Sequence, residues 1–344
     1  MRITIQSNSG ELAFDCGDDN SILFEGLRRG LALPFECATG TCGTCRARVM
    51  SGEVDVRWKE APGGKRLKPE KGDILTCQTL ARSDCVLRIP SGVVISDQRH
   101  PQACRGVIEN VRKLTRDVVH FDLRLSESMS FHGGQFVVLE TPDVIGGRAY
   151  SMVNFGSNLD RLAFVLKRKP GGVFSDWIFD ESKPDRSMLV FGPLGRAVFR
   201  PEEDRNFVCI AGGSGIAGMM SILESATRSD HFRNRKGIVF FGVRTLADAF
   251  YLEDFSRHVA ASNGNLDVTV ALSDEAATAE RHPEHPLLKL ESGMVHEVLA
   301  KHVVECDRSG LFYIAGPPIM VDSSIRCLIG GGVAIKNIRY DKFS

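Results

Sequence analysis

The sequence predicts a three-domain protein: a small α+β unit (residues 1–97), an antiparallel β-barrel (98–202) and an α/β unit with a parallel sheet (203–344). Its length of 344 residues corresponds to two or three domains of ordinary size. Six of the ten cysteines fall in the first 90 residues, so this part differs in composition from the rest. The hydrophobic pattern then changes twice, first to short alternating strands and later to buried strands separated by helices.

Composition and charge exclude several classes of protein. Lys and Arg total 43 and Asp and Glu total 43, which argues against a general binder of nucleic acid. The longest apolar run, 207–223, is short for a membrane span and is interrupted by glycines. The sequence opens on a strand pattern and shows no secretory leader, so we expect a cytoplasmic protein without membrane contact. Cysteines in such a protein are more often metal ligands or buried thiols than disulfides.

The first 97 residues predict a hairpin, a helix and two further strands. Alternating apolar residues on both sides of Asn8-Ser9-Gly10 indicate the hairpin. Helical spacing over 21–31, with Asn20 or Ser21 as the cap, indicates a helix. A loop rich in Gly and Cys follows, and strands are predicted at 46–50 and 86–90.

A polar stretch with a proline, 96–102, predicts the first linker. Beyond it, alternating strands are separated by turn residues, which is typical of a β-barrel. The clearest of these strands are 118–123, 135–139, 162–166 and 188–191.

The last third of the chain alternates buried strands with helices, which indicates a parallel sheet covered on both faces. Strands are predicted at 207–211, 237–241, 266–271 and 311–315. Helices are predicted at 218–228, 246–260, 293–302 and 318–328.

The cysteine pattern carries the most specific chemistry. Cys37, Cys42, Cys45 and Cys77 have the spacing C-x4-C-x2-C…C, which is typical of a plant-type [2Fe–2S] cluster. Glycines between them allow a tight loop whose backbone N–H groups point at the sulfurs and stabilise the negative charge. A zinc site or inert thiols are the alternatives, but zinc sites usually combine two CxxC pairs.

With these cysteines, the chain resembles the reductase components of bacterial multicomponent oxygenases. In that family a plant-type, β-grasp ferredoxin domain is joined to a ferredoxin–NADP reductase-like module that binds flavin and pyridine nucleotide. The family serves aromatic-ring dioxygenases and soluble diiron monooxygenases. The resemblance continues in the two remaining domains and covers essentially the whole chain.

Two motifs in the barrel region are similar to the family's flavin site. The tetrad Arg148-Ala149-Tyr150-Ser151 matches its R-x-Y-S signature. Arg148 can pair with phosphate oxygens, Tyr150 can offer a flat face to the isoalloxazine, and Ser151 can place a polar group near N5, so Tyr150 and Ser151 are the candidate catalytic residues. The second motif resembles the family's phosphate loop and favours FAD over FMN, with Ser175 as a helix cap. It spans residues 167–175, and its candidate binding residues are Lys167, Gly171, Gly172, Val173 and Ser175.

Three strand ends and the tail resemble the family's nucleotide site. Gly212-Gly213-Ser214-Gly215 is similar to its glycine loop, Arg244 and Asp248 fall where it binds the adenosine half, and Gly316-Pro317 falls beside the nicotinamide. Asp248 would repel a 2′-phosphate, so we expect NADH, with NADPH as the alternative. Phe343 either covers the flavin or packs as part of the tail.

Together these motifs predict an enzyme, an NADH-dependent electron-transfer reductase. Electrons would pass from NADH through FAD and the [2Fe–2S] cluster to an oxygenase component or its ferredoxin. A stand-alone reductase of a small acceptor, such as a quinone or ferric chelate, is the alternative. A redox sensor would need an output module, and three cofactor domains account for all 344 residues.

Overall fold

The computed structural model describes residues 1–96, 100–142, 144–180 and 186–342. Its contacts divide the chain into two compact units. The first unit contains residues 1–105, 137–149 and 187–194, and the second contains 106–136, 150–186 and 195–344. The three predicted domains stay a prediction, and the first boundary, at residue 97, lies outside the described residues. Among the described residues, every helix is too short or too polar to cross a membrane.

The N-terminal region forms a five-stranded sheet with one helix. The sheet has the order β2-β1-β7-β3-β5, and β4 and β6 form a separate pair. Ser21 caps the helix by accepting a hydrogen bond from the Phe24 N–H at 3.2 Å. The elements are β1 (Arg2–Ser7), β2 (Gly10–Asp15), α1 (Ile22–Arg28), β3 (Arg46–Ser51), β4 (Val54–Val56), β5 (Asp73–Leu75), β6 (Thr79–Ala81) and β7 (Cys85–Arg88).

The barrel region contains six strands and a short helix. In the second unit β9 pairs antiparallel with both β8 and β12. In the first unit β11, β10 and β13 are neighbours in that order. The elements are β8 (Gln102–Lys113), β9 (Val118–Phe131), β10 (Phe136–Glu140), β11 (Arg148–Ser151), β12 (Gly156–Lys167), α2 (Val173–Phe179) and β13 (Ser187–Leu194).

The C-terminal region is a parallel six-stranded sheet with the order β17-β16-β15-β14-β18-β19. Because its central strands are buried on both faces, each is a nearly continuous apolar run. The elements are β14 (Phe207–Gly212), α3 (Ile216–Arg228), β15 (Gly237–Val243), α4 (Leu252–Ala261), β16 (Leu266–Leu272), β17 (Lys289–Ser292), α5 (Val295–His302), β18 (Leu311–Gly316), α6 (Pro318–Gly330) and β19 (Ile338–Lys342).

The helix predicted over 246–260 is wrong in its first part. A short 3-10 helix, Leu246–Asp248, is followed by a break, and α4 begins only at Leu252. Tyr251 at the break has a φ of +62°, and its hydroxyl hydrogen-bonds His120 Nδ1 at 2.8 Å. The left-handed backbone of Tyr251 cannot continue a right-handed helix, so the helical pattern is interrupted there.

Candidate cofactor sites

The four motif cysteines come together as two pairs of thiols. Cys37 and Cys42 have their sulfurs 3.3 Å apart, and Cys45 and Cys77 have theirs 3.2 Å apart. Three of them lie in the loop between α1 and β3, and Cys77 lies in a 3-10 helix directly after β5. All four thiols are free of disulfides.

Backbone N–H groups point at the first pair of sulfurs, as the glycine pattern predicts. Those of Thr39, Thr41 and Cys42 each lie 3.4 Å from the Cys37 sulfur, and that of Thr44 lies 3.4 Å from the Cys42 sulfur. The hydrogen bond with the Cys42 thiol, helped by the Thr39 and Thr41 donors, lowers the pKa of Cys37, and the same hydrogen bond raises the pKa of Cys42. At Cys37 the loop therefore favours the thiolate, which is the form that binds metal.

The pairing suits a two-iron cluster better than a single ion. Within the described ranges, three or more His, Cys, Asp or Glu side chains nowhere gather so as to hold one metal ion. A [2Fe–2S] cluster instead takes four cysteines over two irons, and two pairs of thiols match that requirement. Cys37, Cys42, Cys45 and Cys77 are therefore the residues that would hold the cluster.

Gly63, which the sequence does not predict as a site residue, packs against the backbone of the cysteine loop. Gly40 and Gly43 adopt φ values of +85° and +82°, which side chains rarely tolerate. The Gly63 N–H donates to the Gly40 carbonyl at 2.9 Å. A Cβ on Gly63 would lie only 2.5 Å from the Gly43 nitrogen. Gly63 follows Cys45 by eighteen residues, and no local pattern connects it with the loop.

The tetrad of the predicted flavin site forms strand β11, and the division into units falls between Ala149 and Tyr150. In the first unit, Arg148 Nη1 donates to the Gly147 carbonyl at 3.0 Å. Within the described part of the chain, no carboxylate forms an ion pair with Arg148. Its guanidinium is therefore available for an anion such as phosphate.

In the second unit, Tyr150 and Ser151 lie beside two helices. The Tyr150 ring stacks on Phe174 of α2, with centroids 5.5 Å apart and planes 27° from parallel. Ser151 is buried, and a Cβ on Gly218 would lie 3.3 Å from the Ser151 Cβ. Ser151 thus lies against α3, the helix that follows the predicted nucleotide loop. Phe174 lies within the predicted loop motif, but neither its contact with Tyr150 nor that of Gly218 with Ser151 is predicted, because sequence spacing does not indicate which helix covers a strand.

The predicted phosphate loop borders a cavity of about 660 Å³ in the second unit. Four cationic and two acidic side chains are in its lining, so the cavity favours anions. The predicted residues among them are Lys167, Gly171 and Arg244. Arg168 and Pro170, which lie within the predicted motif 167–175, are also in the lining. Arg116, Asp117 and Asp176 are lining residues from outside that motif.

The proposed capping role of Ser175 is wrong. Helix α2 begins at Val173, so Gly172 is the N-cap and Ser175 lies inside the first turn. The Ser175 hydroxyl donates to the Gly172 carbonyl at 2.8 Å and accepts from the Lys169 N–H at 3.1 Å. Ser175 therefore stabilises the loop through these two hydrogen bonds, and the backbone turn itself depends on Gly171 and Gly172.

The predicted nucleotide loop and Gly316-Pro317 meet at the carboxyl ends of β14 and β18. These strands are parallel neighbours, with Ala211 opposite Ala315. Gly213, Ser214 and Gly215 form a 3-10 turn that leads into α3. A Cβ on Gly215 would lie 2.4 Å from the Ala315 carbonyl oxygen, and one on Gly212 would lie 3.3 Å from Pro317 Cδ. The carboxyl edge of a parallel sheet is where such folds bind nucleotides.

Asp248 caps the turn that follows β15. Its carboxylate accepts from the Thr245 N–H at 3.2 Å and from the Thr245 hydroxyl at 3.0 Å. Asp248 also lines a second cavity, of about 400 Å³, together with Arg116, Arg244 and Asp274. Phe343, the predicted tail residue, lies outside the described residues.

Comparisons with known families agree with this order of sites along the chain. Residues 5–82 match a 2Fe-2S iron-sulfur cluster binding domain. Residues 105–199 match an oxidoreductase FAD-binding domain, and residues 209–325 match an oxidoreductase NAD-binding domain. The predicted fold class and the three cofactors are thereby confirmed at the level of these domains.

Full-length relatives have the same organisation. The chain is 32% identical over 340 residues to ferredoxin–NAD(P)(+) reductase CarAd of Metapseudomonas resinovorans, covering 97% of this chain and 98% of that protein. It is 32% identical over 336 residues to the ferredoxin–NAD(+) reductase component of the alkene monooxygenase system of Xanthobacter autotrophicus, covering 96% and 98%. The solved ferredoxin reductase in carbazole 1,9a-dioxygenase is 30% identical, with a TM-score of 0.84 and coverage of 100% and 99%. The chain therefore belongs to the family of ferredoxin–NAD(P)(+) reductases that join a 2Fe-2S domain to FAD-binding and NAD-binding domains.

Proposed function

We propose that this chain is the reductase component of a multicomponent oxygenase and takes its electrons from NADH. The observation that carries the proposal is the pairing of four free thiols in a chain that also has FAD-binding and NAD-binding domains. Two relatives named for a dioxygenase and for an alkene monooxygenase system support an oxygenase, or its ferredoxin, as the electron acceptor.

Different residues of the chain serve the flavin, the nucleotide and the iron–sulfur cluster. Bound FAD would supply a hydride acceptor for the nicotinamide and a single-electron donor for the iron–sulfur cluster. Ser151 and Gly218 bring the flavin strand against α3, so the predicted N5 region and the nucleotide loop belong to adjoining elements. Lys167 lines the larger cavity, where cationic side chains outnumber acidic ones and favour phosphate groups. The loop around Cys37 supplies the N–H donors that stabilise charge on its sulfurs.

The choice of NADH over NADPH rests on Asp248 and Asp274, which line the second cavity together with Arg116 and Arg244. A carboxylate near the ribose 2′ position accepts a hydrogen bond from the 2′-hydroxyl of NADH and repels the 2′-phosphate of NADPH, and Asp248 and Asp274 could both serve in this way. Arg244 would attract a phosphate, but it lies 3.6 Å from Asp248 and 3.7 Å from Asp117. These two carboxylates offset its charge.

The acceptor is tested by comparing turnover with a protein partner and with small molecules. We expect the holoprotein to support NADH-dependent substrate oxidation with a purified oxygenase component at catalytic concentrations. Rates with a quinone and a ferric chelate are measured in parallel at saturating acceptor. A protein that turns over either small acceptor far faster than any oxygenase or ferredoxin partner would be a stand-alone reductase instead.

A further inference from the structure

Trp58 stands between the cysteine loop and the strand that carries Arg148. It follows β4, and the neighbouring Arg57 N–H donates to the Gln78 carbonyl at 2.9 Å, one residue beyond Cys77. The Trp58 carbonyl accepts from the Ala61 N–H at 3.3 Å, directly before the turn that holds Gly63. Hydrogen bonds on both sides of Trp58 therefore hold its backbone beside Cys77 and beside the turn that contains Gly63.

The indole ring of Trp58 faces the approach to β11 within the first unit. The Arg148 guanidinium carbon lies 5.8 Å from the ring centroid, which is within cation–π range. A Cβ on Gly146, whose φ is +77°, would lie 3.3 Å from Trp58 Cε3. The ring thus covers both the turn before Arg148 and the charged end of its side chain.

Other first-unit contacts show that this is a packed face. Phe24 of α1 stacks on Phe191 of β13, with centroids 3.9 Å apart and planes 9° from parallel. Arg57 lies near Glu140 of β10, where its charge opposes the burial that raises the pKa of that carboxyl. Helix α1 therefore contacts β13, and the segment that follows β4 contacts the start of β11 and lies near β10.

We propose that Trp58 is a positioning residue for Arg148, so that a residue of the cluster domain sets how tightly the chain holds FAD. This inference rests on the proposed function, because it takes Arg148 as a ligand of the FAD phosphates. Arg148 has no carboxylate ion-pair partner in the described part of the chain, so the ring and the Gly146 and Gly147 carbonyls hold its guanidinium. A side chain with fewer open rotamers loses less entropy when it binds an anion.

The test measures FAD affinity and cluster content in the holoprotein. FAD released on serial dilution is followed by its fluorescence, and the cluster by its paramagnetic signal after dithionite. Trp58→Leu keeps an apolar side chain without the ring, and should weaken FAD binding ~3- to 30-fold while the cluster signal stays native. Trp58→Phe should fall between Leu and native, because a phenyl ring is the weaker cation–π partner. Lys59→Ala, at an exposed neighbour, is the control.

A double-mutant cycle with Arg148→Ala shows whether Trp58 acts through the arginine. We expect Trp58→Leu to add little to the loss of FAD affinity already caused by Arg148→Ala. A full additional loss in that background, or native FAD affinity in Trp58→Leu, overturns the inference. If Trp58→Leu loses the cluster, the test rests on Trp58→Phe instead. Native FAD affinity in Trp58→Phe would then overturn the inference as well. Native affinity in Arg148→Ala itself overturns the assignment of Arg148, which belongs to the proposed function.

Discussion

At the scale of single residues, the shape of the cysteine loop depends on glycines, because a side chain at these positions would collide with neighbouring atoms. Gly40, Gly43 and Gly63 pack backbone to backbone, and a methyl group on Gly63 meets main-chain atoms that cannot turn aside. The cysteines supply the ligands, but these glycines hold the loop in the shape that brings them together.

Gly63→Ala should therefore disturb the cluster while leaving the fold intact. Its Cβ would lie 2.5 Å from the Gly43 nitrogen and 2.9 Å from the Gly40 oxygen, so the loop has to shift. We expect a much lower cluster content per chain, read from iron and sulfide analysis and from visible absorbance. Gly64→Ala is the matched control, since its Cβ meets only Leu67 Cδ1 at 3.9 Å. Equal cluster content in the two variants would contradict the role given to Gly63.

A buried histidine makes stability depend on pH. His231 is 7% exposed among Phe199, Phe207 and Phe232, and its Nε2 has no hydrogen-bond partner among the described residues. Burial lowers the pKa of His231 below the usual 6.5, so the folded chain keeps it neutral. As pH falls through 6.5, the unfolded chain binds a proton that the folded chain does not. Its contribution to stability is therefore complete above that pH and is lost below it.

His231→Phe should reduce this pH dependence. Phenylalanine fits the aromatic surroundings and removes one group that titrates on unfolding. We expect the apparent melting temperature to fall less for the variant than for the native protein between about pH 7.5 and 5.5. Differential scanning fluorimetry at the two pH values checks this. His120 and His258, whose pKa values burial also lowers, leave part of the decrease in place. A decrease as large as that of the native protein would contradict the argument.

At the scale of elements, local patterns predict what a segment is but not what it contacts. The alternation on both sides of Asn8 and the buried runs of β14 and β18 are properties of neighbouring residues, and both predictions are confirmed. The break before α4 falls at Tyr251, whose hydroxyl contacts His120, 131 residues away in the sequence. Ser175 was misassigned because the helix begins one turn earlier than the serine suggested.

The turn after β15 gives a prediction about nucleotide choice. Asp248→Asn keeps an oxygen that can accept from Thr245 and removes one negative charge from the cavity lining. At about 1 kcal/mol for two charges ~4 Å apart in water, the preference for NADH over NADPH in kcat/KM should fall roughly 5-fold. Asp267→Asn makes the same charge change at an exposed carboxylate that pairs with Lys289. If the ratio of kcat/KM for NADH to that for NADPH is unchanged in Asp248→Asn, then Asp248 does not face the ribose of the bound nucleotide.

At the scale of the whole molecule, the order of cofactor domains was predictable because each motif is local. The four cysteines, the R-A-Y-S tetrad and the G-G-S-G loop can each be found within a short window of sequence, apart from Cys77. The groups that support them cannot, since Gly63, Phe174 and Gly218 come from segments that only folding brings near. The same limit applies to Trp58, whose contact with Arg148 spans ninety residues.

The central claim is that electrons reach the four-cysteine site only after they have entered through the flavin and nucleotide domains. Cys42→Ser tests it most directly, because a serine hydroxyl is a poor ligand for iron. With NADH, the variant should lose cytochrome c reduction, which needs the cluster, and keep ferricyanide reduction, which needs only the flavin. Cys327→Ser, at a half-buried thiol outside the loop, should keep both. Equal loss of both activities in a folded Cys42→Ser protein that retains FAD would contradict this order of electron flow.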